Sequence, residues 1–268
     1  MWPAKTEGQG PLLGTAQPLD RSTARCSETS ALLQRRRRGV AKLSILLAAM
    51  SCIPGYAQPH IAVDSPLWHL ESEYDGIQIF SARVLGTKIV PFKAVAEVPA
   101  SIEEISAVLE DESRRSEWVA RLGESVLLER LSDYEQTNYV RMRLPWPLTD
   151  RTALVRVSID VAEGGHVVTI AGRSTRCCVH PALPELVRAE VFESTFQMAR
   201  LRFGTRVTAL VFVDPGGNLP AWVVNLFTGY EARRTLTGLR RQVDRRLYSP
   251  AAIAEYRRRW QEFPNKSQ

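Results

Sequence analysis

The chain has 268 residues, 44% hydrophobic and 24% charged, a balance that excludes disordered, collagen-like and disulfide-scaffold proteins. Of its net charge of +6, +5 belongs to the first 57 residues, which hold eight basic and three acidic side chains and leave 27 basic and 26 acidic from Gln58 onward. A nearly neutral body removes the electrostatic case for a nucleic-acid partner, and no apolar run reaches the roughly 18 residues of a membrane-spanning helix.

Arg35-Arg36-Arg37-Arg38 precede an apolar stretch over residues 43–50, which ends at Gly55-Tyr56-Ala57. A basic block, a short apolar segment and a small-x-small site in that order read as a signal peptide over 35–57. Cleavage near Ala57 then places the protein in the periplasm or outside the cell. Residues 1–34 are polar and aperiodic, an extension either unstructured or not native to the translated chain. Cys52 follows a weak lipobox, so a lipid anchor there is the lesser alternative. Of the four cysteines, Cys177 and Cys178 lie beyond the cleavage site and read as small apolar residues beside a strand. None of the four histidines has metal-ligand spacing, and no cofactor is called for.

Along the mature chain, Leu67 and Leu70 predict a short helix over 66–72. Strands follow over 77–84 and 89–98. Ser101-Ile102-Glu103-Glu104 is a capping box that opens a helix with Ile102, Ile105, Val108 and Leu109 on one face. A turn of helix covers 114–118. Strands are predicted over 125–131, 136–144, 151–161, 166–171, 187–203 and 205–213. In 151–161 the apolar Ala153, Val155, Val157, Ile159 and Val161 alternate with Arg156, Ser158 and Asp160. The apolar phase of 187–203 changes near Val191-Phe192, which predicts a bulge. Asp214-Pro215-Gly216-Gly217-Asn218 breaks the chain before a long helix over 219–247, striped by Val223, Val224, Phe227, Leu236, Leu239 and Val243. A short basic helix with Arg257-Arg258-Arg259 and a tail occupy 249–268, its arginines read as a solvated face. The class is α+β: an antiparallel meander that must bury its apolar face against one long helix.

Two segments carry a resemblance. Leu144-Pro145-Trp146-Pro147-Leu148-Thr149-Asp150-Arg151 resembles the segment before the central strand of START domains, the steroidogenic-acute-regulatory-related lipid-transfer domains. The run from Asp214 through Pro220-Ala221-Trp222 to Asn225 resembles that family's turn into its C-terminal helix. Trp118, Asp75-Gly76-Ile77 and Phe92-Lys93-Ala94 add to the match, which spans residues 66–247 and departs from the family over 172–190. The resemblance implies a helix-grip fold: a curved antiparallel sheet wrapped around the C-terminal helix, with an internal hydrophobic cavity. The lipid-binding domain is then 58–248, and its partner is a sterol, phospholipid or other hydrophobic small molecule, with transient membrane contact.

Met142, Phe196, Met198 and Phe227 are the candidate cavity liners, although a packed core would select the same residue types. Arg156 is a strand charge of undecided facing and joins the candidates. Gly216 and Gly217 are the candidate gate hinges. Asp150-Arg151 reads either as a polar clamp at the cavity mouth or, preferably, as a salt bridge fixing the strand start. No catalytic constellation is present: Gly-x-Ser-x-Gly, a phosphate-binding glycine loop and His-Glu-x-x-His are all missing. The reading is therefore non-catalytic carriage, against a helix-grip cyclase or hydrolase, or a ligand-free interaction module.

Overall fold

The computed structural model describes residues 59–176 and 186–264, apart from the side chains of Glu163, Leu226 and Phe227. The described residues lie in one compact unit, 55–268. Its strands are β1 (His69–Tyr74), β2 (Ile77–Ser81), β3 (Phe92–Val98), β4 (Leu122–Ser132), β5 (Glu135–Met142), β6 (Arg151–Ala162), β7 (Val167–Ser174), β8 (Val187–Arg188), β9 (Glu190–Arg200) and β10 (Thr205–Asp214). Helices α1 (Ile102–Glu110) and α2 (Arg115–Trp118), joined by a 3-10 turn at Glu112–Arg114, separate β3 from β4. Helices α3 (Ala221–Asp244) and α4 (Pro250–Gln261) close the chain.

The strands form one sheet in the order β1-β2-β3-β10-β9-β7-β6-β5-β4, antiparallel along that path, with the short β8 parallel to the start of β6. This is the expected α+β architecture of a curved antiparallel sheet with a C-terminal helix against it. The expected bulge is present: β10 pairs regularly with β9 until the register slips between Phe212 and Val213, opposite Glu193 and Val191. The slip turns Phe192 to the outer face against Phe212, ring centroids 4.9 Å apart, while Val191 stays inside.

Two sequence expectations change. Residues 69–74 form an edge strand rather than a helix, and Leu67 and Leu70 are exposed, so the anticipated helical face has nothing to bury against. Trp68 instead lies over the Lys93 ammonium, 4.9 Å from its ring centre, and joins an outer-face cluster with Ile61, Ala82, Leu210 and Phe212. Strands β2 and β3 are each shorter than predicted, which leaves a loop over 82–91.

The main core lies between the inner face of the sheet and the C-terminal half of α3. Ala232, Leu236 and Leu239 pack into a cluster with Ile77, Ile79, Ala94, Ala96, Val207 and Ala209. Burying each leucine contributes about 2 kcal/mol. Gly238 lets α3 come against the α2 backbone, where a Cβ would collide with the Trp118 carbonyl oxygen. Helix α1 seals the same end. The Ser101 hydroxyl accepts from the Glu104 N–H, and the Glu104 carboxylate accepts from the Ser101 N–H at 2.8 Å, the predicted box. The packing runs on beyond residue 248: Trp260 of α4 is 1% exposed and belongs to the main cluster.

Candidate functional site

Alternation fixes which strand residues face α3. On β6 the inner row is Arg151, Ala153, Val155, Val157, Ile159 and Val161; on β5 the partners across from its first four members are Met142, Val140, Asn138 and Gln136. On β9 and β10, Phe196 pairs with Ala209, Ser194 with Val211, and Val191 with Val213. Ala153, Val155 and Val191 form an apolar cluster of their own, flanked by Val140, Val157 and Val213. Yet Val140, Val157, Ile170, Phe196, Val211 and Val213 are only partly buried. Each sits on a strand hydrogen-bonded on both sides, so it is reached only through its face. Helix α3 packs chiefly on β3 and β2, so an apolar wall on the β10, β9, β7, β6 and β5 side is left incompletely covered.

The expected liners sort differently against this wall. Phe196 lies on it, its ring edge-on to Trp118 with centroids 6.0 Å apart. Met142 lies on the inner face at the end of β5, half-buried. Met198 is completely buried in the main core, in register with Val207 and Val168, where it fills space. Arg156 must be corrected as a liner: it belongs to the outer row, faces Thr137 and Arg173 across the neighbouring strands, and its Nε lies 3.6 Å from Glu135 Oε1. A period of two puts Arg156 opposite Val155 and Val157, so one cavity cannot take all three. The side chain of Phe227 lies outside the described residues.

One end of the wall is where the loops meet. Val211 pairs with Phe92, so the 82–91 loop and the 214–218 turn leave the sheet together. Val187 pairs with Arg151 in parallel, which brings the 143–150 segment there as well. Gly216 and Gly217 have φ of +65° and +70°, and a Cβ on Gly216 would lie 2.5 Å from the Arg188 carbonyl oxygen. Their glycine character thus satisfies a fixed close approach as well as any hinge. Two side chains latch the assembly. Arg151, almost fully buried, donates from Nε to the Pro215 carbonyl at 2.8 Å and from Nη1 to the Thr149 carbonyl. The Asn225 Oδ1 accepts from the Val90 N–H at 3.0 Å, and its Nδ2 donates to the Lys88 carbonyl. Asp150 accepts from the Leu144 N–H, so Asp150 and Arg151 fix backbone separately rather than forming the expected salt bridge. No side chain caps the α3 N-terminus at Pro220. Around this end Leu85, Trp146 and Trp222 stand 98%, 93% and 70% exposed.

The opposite end is polar. A cavity of about 70 Å³ lies among Glu110, Glu112, Gln136, Val157, Ile170 and Arg259, beneath α4. The Glu112 carboxylate accepts from Gln136 Nε2 at 2.8 Å and from Asn138 Nδ2, and it faces Arg115 Nη1 at 3.5 Å. Burial pushes the Glu110 carboxyl above the usual range, only partly offset by the Arg259 guanidinium 2.7 Å away. Glu103, at the other end of α1, is 1% exposed; there burial is outweighed by the Arg200 hydrogen bond and the charges of Arg200 and Arg257, which hold its carboxyl low. Sequence singles out Arg151, with a different partner, but neither the Asn225 latch nor the polar end. Arg151 and Asn225 sat inside the two family-like segments, but Glu112 meets Asn138 only through the folded chain.

An antiparallel sheet gripping a long C-terminal helix defines the helix-grip class of folds. The chain belongs to the START domain family, whose model matches residues 58–246. It is 26% identical over 210 residues to an uncharacterized protein of Pseudomonas aeruginosa, spanning 78% of this chain and all of that one. Rat phosphatidylcholine transfer protein is 24% identical over 163 residues, 59% of this chain and 75% of the relative. Among solved structures, a STAR-related lipid transfer protein fragment from Xanthomonas axonopodis superposes with a TM-score of 0.60 at 24% identity, covering 66% of this chain and 99% of that one. Human StAR-related lipid transfer protein 5 gives 0.64 at 16% identity, covering 69% and 90%. At these identities the superpositions establish the fold.

Proposed function

We propose that the protein binds one lipid-like molecule against the inner face of β5, β6, β7, β9 and β10 and carries it without chemical change. The observation that carries this reading is the row of valines with Ile170 and Phe196, partly exposed at the centre of a hydrogen-bonded sheet. Apolar side chains left uncovered in a domain interior are stabilised by an apolar occupant, at about 25 cal/mol per Å² before ordering costs. The reading is supported by membership of the START family and by lipid-transfer relatives of the same fold.

The gate in this reading is the loop end. The uncapped start of α3 lifts about the 214–218 turn when the Arg151 and Asn225 latches release. Leu85, Trp146 and Trp222 then meet the membrane surface, where a tryptophan keeps its ring in the apolar boundary and its N–H in water. The signal-peptide reading places this exchange outside the cytoplasm, with a mature chain starting at Gln58; it rests on the order of the arginine block, the apolar stretch and Gly55-Tyr56-Ala57. Intact mass of exported protein checks it, and a mass that retains residues 35–57 refutes it.

Native mass spectrometry of protein purified without detergent tests carriage. We expect one bound amphiphile per chain, released with unchanged mass on denaturation. A chain that is ligand-free, and that takes up nothing from mixed-lipid vesicles, ends the proposal.

A further inference from the structure

The polar end of the inner face has hydrogen-bonding capacity left over, and its chemistry is specific. Asn138 is 1% exposed, and its Nδ2 donates to Glu112, which fixes the amide orientation because a carboxylate only accepts. Its Oδ1 is left buried with no partner. In the neighbouring cavity lining, Glu110 Oε1 is a second unpartnered buried oxygen and Arg259 Nε an unpartnered buried N–H. The other strong donors are committed. Arg115 serves Glu112, Ser125 and the Leu109 carbonyl, while the two Nη atoms of Arg259 serve Glu110 and the Asp133 carbonyl. Val157 lines this cavity and also flanks the apolar wall, so the two adjoin at that side chain.

Resting on the carrier reading, we infer that the bound molecule lies with its polar group at Asn138, Glu110 and Arg259, and that this group is a neutral hydroxyl. A hydroxyl donates to a waiting oxygen and accepts from the Arg259 N–H. A phosphodiester only accepts and would sit against the carboxylates of Glu110 and Glu112. A quaternary ammonium has no N–H to give. The site therefore disfavours a choline phospholipid, the lipid for which rat phosphatidylcholine transfer protein is named, and selects hydroxyl-headed lipids, whether glycerides or sterols.

The test uses the full chain and matched probes that differ by one donor. Radiolabelled dioleoylglycerol and its O-methyl ether form one pair, cholesterol and its methyl ether the other, and dioleoylphosphatidylcholine is the fifth probe. Each is extracted from neutral phosphatidylcholine vesicles. Leaving a buried acceptor unpaired predicts about a tenfold preference for the hydroxyl over its ether in at least one pair, and the pair that shows it identifies the source. In Asn138→Leu that preference should fall severalfold. If this variant does not fold, the wild-type pairs decide alone. Equal uptake of alcohol and ether in both pairs, or phosphatidylcholine bound more tightly than either alcohol, overturns the inference and leaves carriage standing. Uptake of none of the five probes overturns the inference, and carriage falls with it only where the purified chain is also ligand-free.

Discussion

The two ends of α3 are built on opposite terms. Toward its C-terminus the helix lies on small residues, Gly238 meets the Trp118 backbone, and α1 and α4 close the space with Glu103–Arg200 and Glu110–Arg259 pairs at 2.7 Å. Toward its N-terminus it starts at Pro220 with no side-chain cap, carries an exposed Trp222, and is held by latches to loop backbone. A helix anchored at one end and tied by a few hydrogen bonds at the other has its local stability graded along its length. That gradient is what a carrier needs: the anchored half keeps the fold while the tied half moves.

The largest effect should come from breaking the anchored end. Trp260→Ala empties a filled socket and is expected to cost about 3–5 kcal/mol in urea unfolding. A loss under 1 kcal/mol would mean that α4 is dispensable. Next, Asn225→Ala removes two hydrogen bonds at the tied end and should cost about 1–2 kcal/mol. It should also speed lipid exchange between vesicles in stopped-flow fluorescence, whereas Trp260→Ala, where it stays folded, should not do so selectively. Gly217→Ala should cost about 1 kcal/mol from its positive φ, and Gly216→Ala more, because of the Arg188 carbonyl. If the glycines also act as hinges, Gly217→Ala slows exchange beyond what its stability loss explains.

The two carboxylates of α1 sharpen the comparison through pH. The Glu103 carboxyl is lowered in the folded state, so its contribution is present above the unfolded value of 4.5 and lost as pH falls through the folded value. The Glu110 carboxyl is raised, so its contribution is complete below 4.5 and lost as pH rises through the folded value. Unfolding from pH 3 to 8 should therefore show the wild type gaining on Glu103→Gln as pH rises and losing ground to Glu110→Gln. Parallel curves would contradict both assignments. The smallest effect on stability belongs to Trp146→Ala with Trp222→Ala. Both side chains are largely exposed, so unfolding should shift by no more than about 0.5 kcal/mol while binding to vesicles weakens clearly.

The sequence told most where a local pattern has one physical solution. Alternation along 151–161 separated Val155 and Val157 from Arg156, the capping box located α1, and the phase change at Val191-Phe192 marked the bulge. It failed where the answer depends on what covers a residue. Leu67 and Leu70 have helical spacing, but the structure leaves both more than half exposed, and residues 69–74 pair as an edge strand. Met198 and Phe196 are equivalent in sequence terms, yet one lies in solid core and the other on the uncovered wall. The set around Glu112 joins a 3-10 turn to β5 across 24 and 26 residues, a distance over which no spacing rule operates.

Helix α4 bears on how this chain should be cut. The family's common unit ends at residue 246, but here Trp260 is buried, Tyr248 donates to Asp111 at 2.9 Å, and Phe263 stacks edge-on to Tyr134 at 4.6 Å. An expression boundary drawn at the shared limit would expose apolar surface on α1 and leave Glu110 without its arginine. The result would be a domain complete by homology and prone to aggregation at the bench. For this chain the evolutionary module and the folding unit are different lengths, and Phe263, just past α4, marks the shortest fragment worth purifying.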